Sequence, residues 1–147
     1  MLDAIARAPL WEHGLDYGHG TGHGVGYFLN VHEGPQSISK AIPEAQMAME
    51  PGMITSIEPG LYRSGQWGIR IENLVLNVPA ANNQFGEFLE FETLTLCPID
   101  TRCIDLTLLR QDEIEWLNAY HATVRARLRG LVSGDAHAWL MARTDPI

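Results

Sequence analysis

Residues 68–78 read GIRIENLVLNV, and the alternation in this stretch makes it a strand. A period of two places Ile69, Ile71 and Val75 on one face and Arg70 with Glu72 on the other. Working outward, MITSIEPGLY at 53–62 reads as a strand ending in a Pro59-Gly60 turn, and EFLEFETLTLCPI at 87–99 alternates over a longer run. These three stretches are expected to be neighbouring strands of an antiparallel sheet.

Beyond them the period changes. LDAIARAPLWEH at 2–13 spaces Leu2, Ile5 and Ala6 helically, Pro9 can open a second short turn, and Gly14 follows as a stop. From about Leu108, the residues Ile114, Leu117, His121, Val124, Leu128 and Leu131 form one stripe of an amphipathic helix that Gly130 and Gly134 terminate. A last short helix around DAHAWLMAR starts at Asp135 as N-cap. Strands flanked by helices give an α+β class with a curved sheet.

The run HGTGHGVG at 19–26 sets His19 and His23 four apart in a stretch that is half glycine. A metalloprotease helix with this spacing carries H-E-x-x-H, and here no glutamate stands between the histidines. Four glycines in seven residues oppose a helix, so strand or turn backbone must place the rings. The crowding of glycine between positions 14 and 34 points to close backbone approach.

Composition bounds the function. With 147 residues, 46% of them hydrophobic, the chain can bury a core. A net charge of -8 opposes sequence-independent binding to nucleic acid or to anionic membranes. No apolar run reaches the roughly 20 residues of a membrane span, and MLDAIARAPL lacks the features of a signal peptide, so the expected location is cytoplasmic. Cys97 and Cys103 are expected to be free, partly buried thiols.

Three elements carry chemistry. Arg70 and Glu72 share a strand face, either as a surface ion pair worth little or as part of a site. Glu58 precedes Pro-Gly at a strand end, where a turn either aims its carboxylate into a cleft or leaves it in solvent. His19, His23 and His32 are the third element, whereas His13, His121 and His137 read as satisfied polar residues. Histidine with two glutamates and an arginine suits Mn2+, Co2+ or Zn2+, and the carboxylate content leans toward manganese. Carboxylates can bridge two such ions, and the set fits metal-assisted hydrolysis.

HGTGHGVGYFLNVHEGP (19–35), EPGMITSIEPGLY (50–62) and GIRIENLVL (68–76) resemble the catalytic domain of the aminopeptidase P family, the Xaa-Pro aminopeptidases of the pita-bread metallopeptidases. The resemblance implies that residues 1–103 belong to the C-terminal part of that domain, with 104–147 as a helical C-terminal extension. It implies His23, Glu58 and Glu72 as ligands of two divalent ions, most simply Mn2+ with Zn2+ or Co2+ as alternatives, with Glu72 spanning both. It also implies that His19 and His32 contact substrate and stabilise the transition state, that Glu58 serves as base, and that Arg70 supports the carboxylates. The implied substrate is a peptide with proline in second position.

Two aspartate ligands of the family have no counterpart here, since neither Asp3 nor Asp16 sits in a paired alternating strand. The chain is therefore expected to be part of a longer enzyme and inactive alone, and to self-associate or to bind an N-terminal half. A prolidase-like Xaa-Pro dipeptidase and a non-catalytic binding or dimerisation module are the alternatives, with a tripeptide against a dipeptide separating the two peptidases.

Overall fold

A computed structural model describes residues 1–42 and 44–147. The chain forms two compact units, Met1–Thr95 and Leu96–Ile147.

The first unit opens with helix α1 (Leu2–Trp11). Pro9 lies inside it rather than opening a second turn, and Gly14, at φ +65°, closes the region in the left-handed conformation that glycine adopts freely. Strands β1 (Gly22–His23) and β2 (Ser37–Ile38) pair antiparallel, and β1 runs alongside β3 (Ile54–Ile57) through a Gly24–Thr55 bridge. Strand β4 (Gly60–Arg63) pairs antiparallel with β5 (Trp67–Arg70). Strands β6 (Asn73–Asn83) and β7 (Gly86–Thr93) complete a sheet of order β3-β6-β7. The antiparallel pairing expected from the alternation is present, divided between the β3-β6-β7 sheet and the β4-β5 pair.

Three details differ from the sequence reading. GIRIENLVLNV is not one strand: it breaks at Ile71–Glu72, because β5 ends where Arg70 pairs with Gly60 and β6 begins where Asn73 pairs with Ile57. The chain changes sheets at that point, so Arg70 and Glu72 are not strand neighbours. Pro59-Gly60 is likewise not a reversing turn, since Gly60 starts β4 directly. The third run ends its pairing at Thr93, short of the expected Ile99.

Burial in this unit is largely polar. Tyr17, Ile38 and Val75 are its buried hydrophobic residues, beside Asp3, Arg7, Thr21, Gln36, Thr55, Ser56 and Asn77. Each buried polar group needs a partner to offset desolvation. Gln36 donates to Ile54 O at 3.0 Å, and Asn77 Nδ2 donates to Glu50 O at 3.3 Å, while its Oδ1 has no partner among the described residues. The glycine run is sterically strict at two main-chain contacts: a Cβ on Gly22 would collide with the Ser56 carbonyl of β3, and one on Gly24 with the Glu33 carbonyl.

The second unit is helical: α2 (Gln111–Leu128) and α3 (Gly134–Arg143). The stripe expected on α2 is its buried face, with Leu117, His121 and Val124 inside, and Leu117, Tyr120, Val124 and Leu140 form the core. Leu131 lies past the helix end and is 79% exposed. Ser133, not Asp135, is the N-cap of α3. Cys97 and Cys103 are free, and both are exposed rather than partly buried. Among the described residues, no helix is long and apolar enough to cross a membrane.

Candidate functional site

The site grows out of the β1–β3 register. His23 lies opposite Ser56, and its amide donates to Ser56 Oγ at 3.0 Å. Ser56 Oγ in turn donates to Glu58 Oε1 at 3.0 Å, while the Glu58 amide bonds Thr21 O at 2.7 Å. Two strands thereby fix a histidine and a glutamate side by side, with His23 Nε2 3.1 Å from Glu58 Oε1.

Tautomer logic sharpens this contact. His23 Nδ1 lies 2.9 Å from Gly24 O, and a carbonyl oxygen only accepts, so Nδ1 carries the hydrogen. The Nε2 lone pair of a neutral ring then faces a carboxylate oxygen. Such a pairing is favourable only with a proton or a cation between the two atoms.

Donors bound at about 2.1 Å to one ion stand roughly 3 Å apart in cis positions, so the pair suits a divalent cation. Among the described residues, no group of three or more His, Cys, Asp or Glu side chains is placed to hold a metal ion. The residues present fit part of a metal site.

A second chain of bonds runs from Glu58 outward. Arg70 Nη1 lies 3.4 Å from Glu58 Oε2, and Arg70 Nε donates to the Tyr62 hydroxyl at 2.9 Å. The Tyr62 hydroxyl lies 2.9 Å from His19 Nε2. His19 Nδ1 is bonded to Gly20 O at 2.8 Å, so Nε2 is the acceptor and Tyr62 donates to it. The Tyr62 hydrogen bond, with the charges of Glu58 and Glu72 behind it, pushes the Arg70 guanidinium further above its ordinary value. The Tyr62 ring occupies space over Gly60 and Gly68, where any Cβ would strike it.

The structure thus brings His19, His23, Glu58 and Arg70 into one bonded network. His32 joins at the edge, its ring 4.3 Å from that of His23 between centroids, on an exposed loop. Glu72 lies exposed between β5 and β6, and no hydrogen bond or ion pair joins it to His23 or Glu58 among the described residues. Its link to the network is its charge acting on Arg70.

Two members escaped the sequence reading, Tyr62 and Ser56. Ser56 shares the parity of Glu58 along the chain, which was the available signal for it, whereas Tyr62 lies in another sheet. Of the other histidines, His13 Nδ1 lies 3.0 Å from Pro9 O within α1. His121 is fully buried, its Nε2 accepts from Ile99 N–H at 3.0 Å, and its Nδ1 has no partner among the described residues.

Residues 1–78 match metallopeptidase family M24, and residues 87–147 match the C-terminal region of peptidase M24. A probable Xaa-Pro aminopeptidase P of Coprinopsis cinerea is 50% identical over the whole of this chain, and one of Laccaria bicolor is 46% identical. The chain spans about a quarter of the length of these relatives, 24% in both cases. The crystal structure of X-prolyl aminopeptidase from Caenorhabditis elegans, described as a cytosolic enzyme with a di-nuclear active site, superposes with a TM-score of 0.87. It is 43% identical and covers 99% of this chain, which covers 24% of it. The fold is accordingly the α+β pita-bread class expected from the sequence. By the match over its first 78 residues, the chain belongs to metallopeptidase family M24.

Proposed function

We propose that this chain supplies the histidine and glutamate side of the active site of a metal-dependent Xaa-Pro aminopeptidase. The observation that carries the reading is the Nε2 lone pair of His23, held by Gly24 O, facing Glu58 Oε1 at 3.1 Å. The relatives named Xaa-Pro aminopeptidase P and the di-nuclear centre of the nematode enzyme support it.

In this reading His23, Glu58 and Glu72 hold two divalent ions, with Mn2+ the best match to a carboxylate-rich donor set. Such ions polarise a peptide carbonyl and lower the pKa of water. Glu58 accepts a proton on Oε2, the oxygen that Ser56 does not bond and that Arg70 approaches only to 3.4 Å. Arg70 keeps that carboxylate oriented, and Tyr62 relays its hydrogen bond to His19. His32, against the His23 ring, and His19, held by Tyr62, face the peptide in this reading, holding the carbonyl oxygen as charge builds on it.

An Xaa-Pro bond has no N–H, so a site that grips the carbonyl side suits it. Residues 1–103 belong to the catalytic domain in this scheme, and 104–147 form its helical extension. The remaining metal ligands come from outside the described donor pairs, so the isolated chain binds metal weakly and associates with a further segment or copy. A cytosolic location follows the description of the nematode relative.

The test has two parts. The purified chain is dialysed against Mn2+ and its metal content measured beside His23→Ala, with weak uptake lost in the variant as the expected result. A protein of the relatives' full length carrying this sequence is then assayed on an Xaa-Pro-Yaa tripeptide and an Xaa-Pro dipeptide. Preferred cleavage of the tripeptide, abolished by His23→Ala and by chelation, supports the reading. Metal uptake unaffected by His23→Ala would overturn it.

A further inference from the structure

We infer that Arg7 is a positioning residue for His19, clamping from helix α1 the one peptide on which that side chain depends. The inference rests on His19 facing the substrate.

Arg7 is 1% exposed, and its guanidinium reaches four acceptors. Nε donates to Asp3 Oδ2 at 2.8 Å, one helical turn away. Nη1 donates to Asp16 Oδ1 at 2.6 Å and Tyr17 O at 2.8 Å, and Nη2 donates to His19 O at 2.6 Å. The guanidinium also lies over the Tyr17 ring, 3.9 Å from its centroid. Asp3 completes the grip by accepting from Thr21 Oγ1 at 2.6 Å, and Thr21 is bonded to the Tyr17 hydroxyl. Burial pushes the Asp3 carboxyl up, but the bonds from Arg7 and Thr21 outweigh it and hold it below its ordinary range. The cluster is therefore fully charged at neutral pH.

The reason for a clamp lies in the neighbours. His19 stands between Gly18 and Gly20, the residue type with the widest backbone freedom. Among the described residues, the Arg7 bond is the one hydrogen bond made by the His19 main chain, and Gly18 makes none. Without it the Gly18–Gly20 segment could swing, carrying Nε2 away from Tyr62. A displacement of 1 Å at a reacting group costs up to about 100-fold in rate, so a glycine-flanked histidine needs external anchoring. Arginine suits the task because its planar fork spans several acceptors, whereas a lysine ammonium is a single point donor.

The experiment is long-range 1H–15N spectroscopy of the histidine side chains in the 15N-labelled chain, comparing wild type with Arg7→Lys, Arg7→Gln and Asp16→Asn. Wild type is expected to show His19 as a single Nδ1–H tautomer. Arg7→Lys and Arg7→Gln are expected to lose that signature at His19 while the signals of His23 and His121 stay in place. Asp16→Asn, which leaves the bond to His19 O intact, is expected to keep it. Adding Gly18→Ala to Arg7→Lys is expected to restore part of the signature by stiffening the loop.

An unmoved His19 signal in both Arg7 variants overturns the inference. Movement of His19 and His23 together, with or without His121, also overturns it, since that marks a general structural role in the first unit. The readout needs neither metal nor substrate, so it stands or falls apart from the peptidase assay.

Discussion

His23 Nε2 lies 3.1 Å from Glu58 Oε1, and the opposite nitrogen of the same ring is already spent on Gly24 O. In the proposed reading this pair is oriented to share a divalent cation. Substituting His23→Ala or Glu58→Gln is expected to weaken Mn2+ binding by more than the roughly 10- to 100-fold that loss of an outer partner costs. Ser56→Ala removes such an outer partner of Glu58 and is expected to fall within that range. Equilibrium dialysis across the three variants checks the ranking.

Tyr62 connects two parts of the site that have no other strong bond. Its hydroxyl donates to His19 and accepts from Arg70, and the residue is 42% exposed. Tyr62→Phe is expected to leave folding stability within about 1 kcal/mol of wild type, because the lost bonds are solvent-accessible. In a catalytically complete enzyme the same change is expected to lower kcat on the order of 10- to 100-fold, the scale of losing one organised hydrogen-bond contact. Thermal unfolding and peptide turnover give the two numbers.

Gly22 and Gly18 lie four residues apart and should respond oppositely to alanine. A Cβ at Gly22 meets the Ser56 carbonyl, whereas one at Gly18 meets nothing within 4 Å. Gly22→Ala is expected to destabilise the first unit by about 1–3 kcal/mol or more, the cost of overpacking. Gly18→Ala is expected to be near neutral or slightly stabilising, by less than about 1 kcal/mol. Denaturant titration separates them.

His121 gives the second unit a pH dependence. Burial pushes its pKa below the ordinary 6.5, and the nearby Arg125 charge adds to it. A depressed histidine is neutral when folded, so the unfolded chain binds the extra proton. Stability is full above about pH 6.5 and falls as the pH drops from there toward the folded value. Unfolding midpoints at pH 7.5 and pH 5 should differ in that direction, and His121→Gln should reduce the difference.

Much of this was legible because it followed from local rules. The stripe of Leu117, His121 and Val124 on α2 and the antiparallel strands obey periods visible in one sequence. The break at Ile71–Glu72 was not legible, since alternation continues through it and only the partners change from Gly60 to Ile57. His19, His23, Glu58 and Arg70 could be chosen by residue type and resemblance. Tyr62 became visible only when β4 folded back on β5. Arg7 was hidden for another reason: its partners at Asp16, Tyr17 and His19 lie across a turn that carries no periodicity.

In both His19 and His23 the ring is set by the carbonyl of the very next residue, Gly20 O and Gly24 O. A main-chain oxygen belongs to every amino acid, so no point substitution can delete that acceptor. Where other histidine sites depend on a particular carboxylate or amide to choose the protonated nitrogen, this one inherits the choice from backbone shape. Variation can therefore accumulate around the two rings while their lone pairs keep pointing the same way, provided the glycine-permitted path of the chain survives.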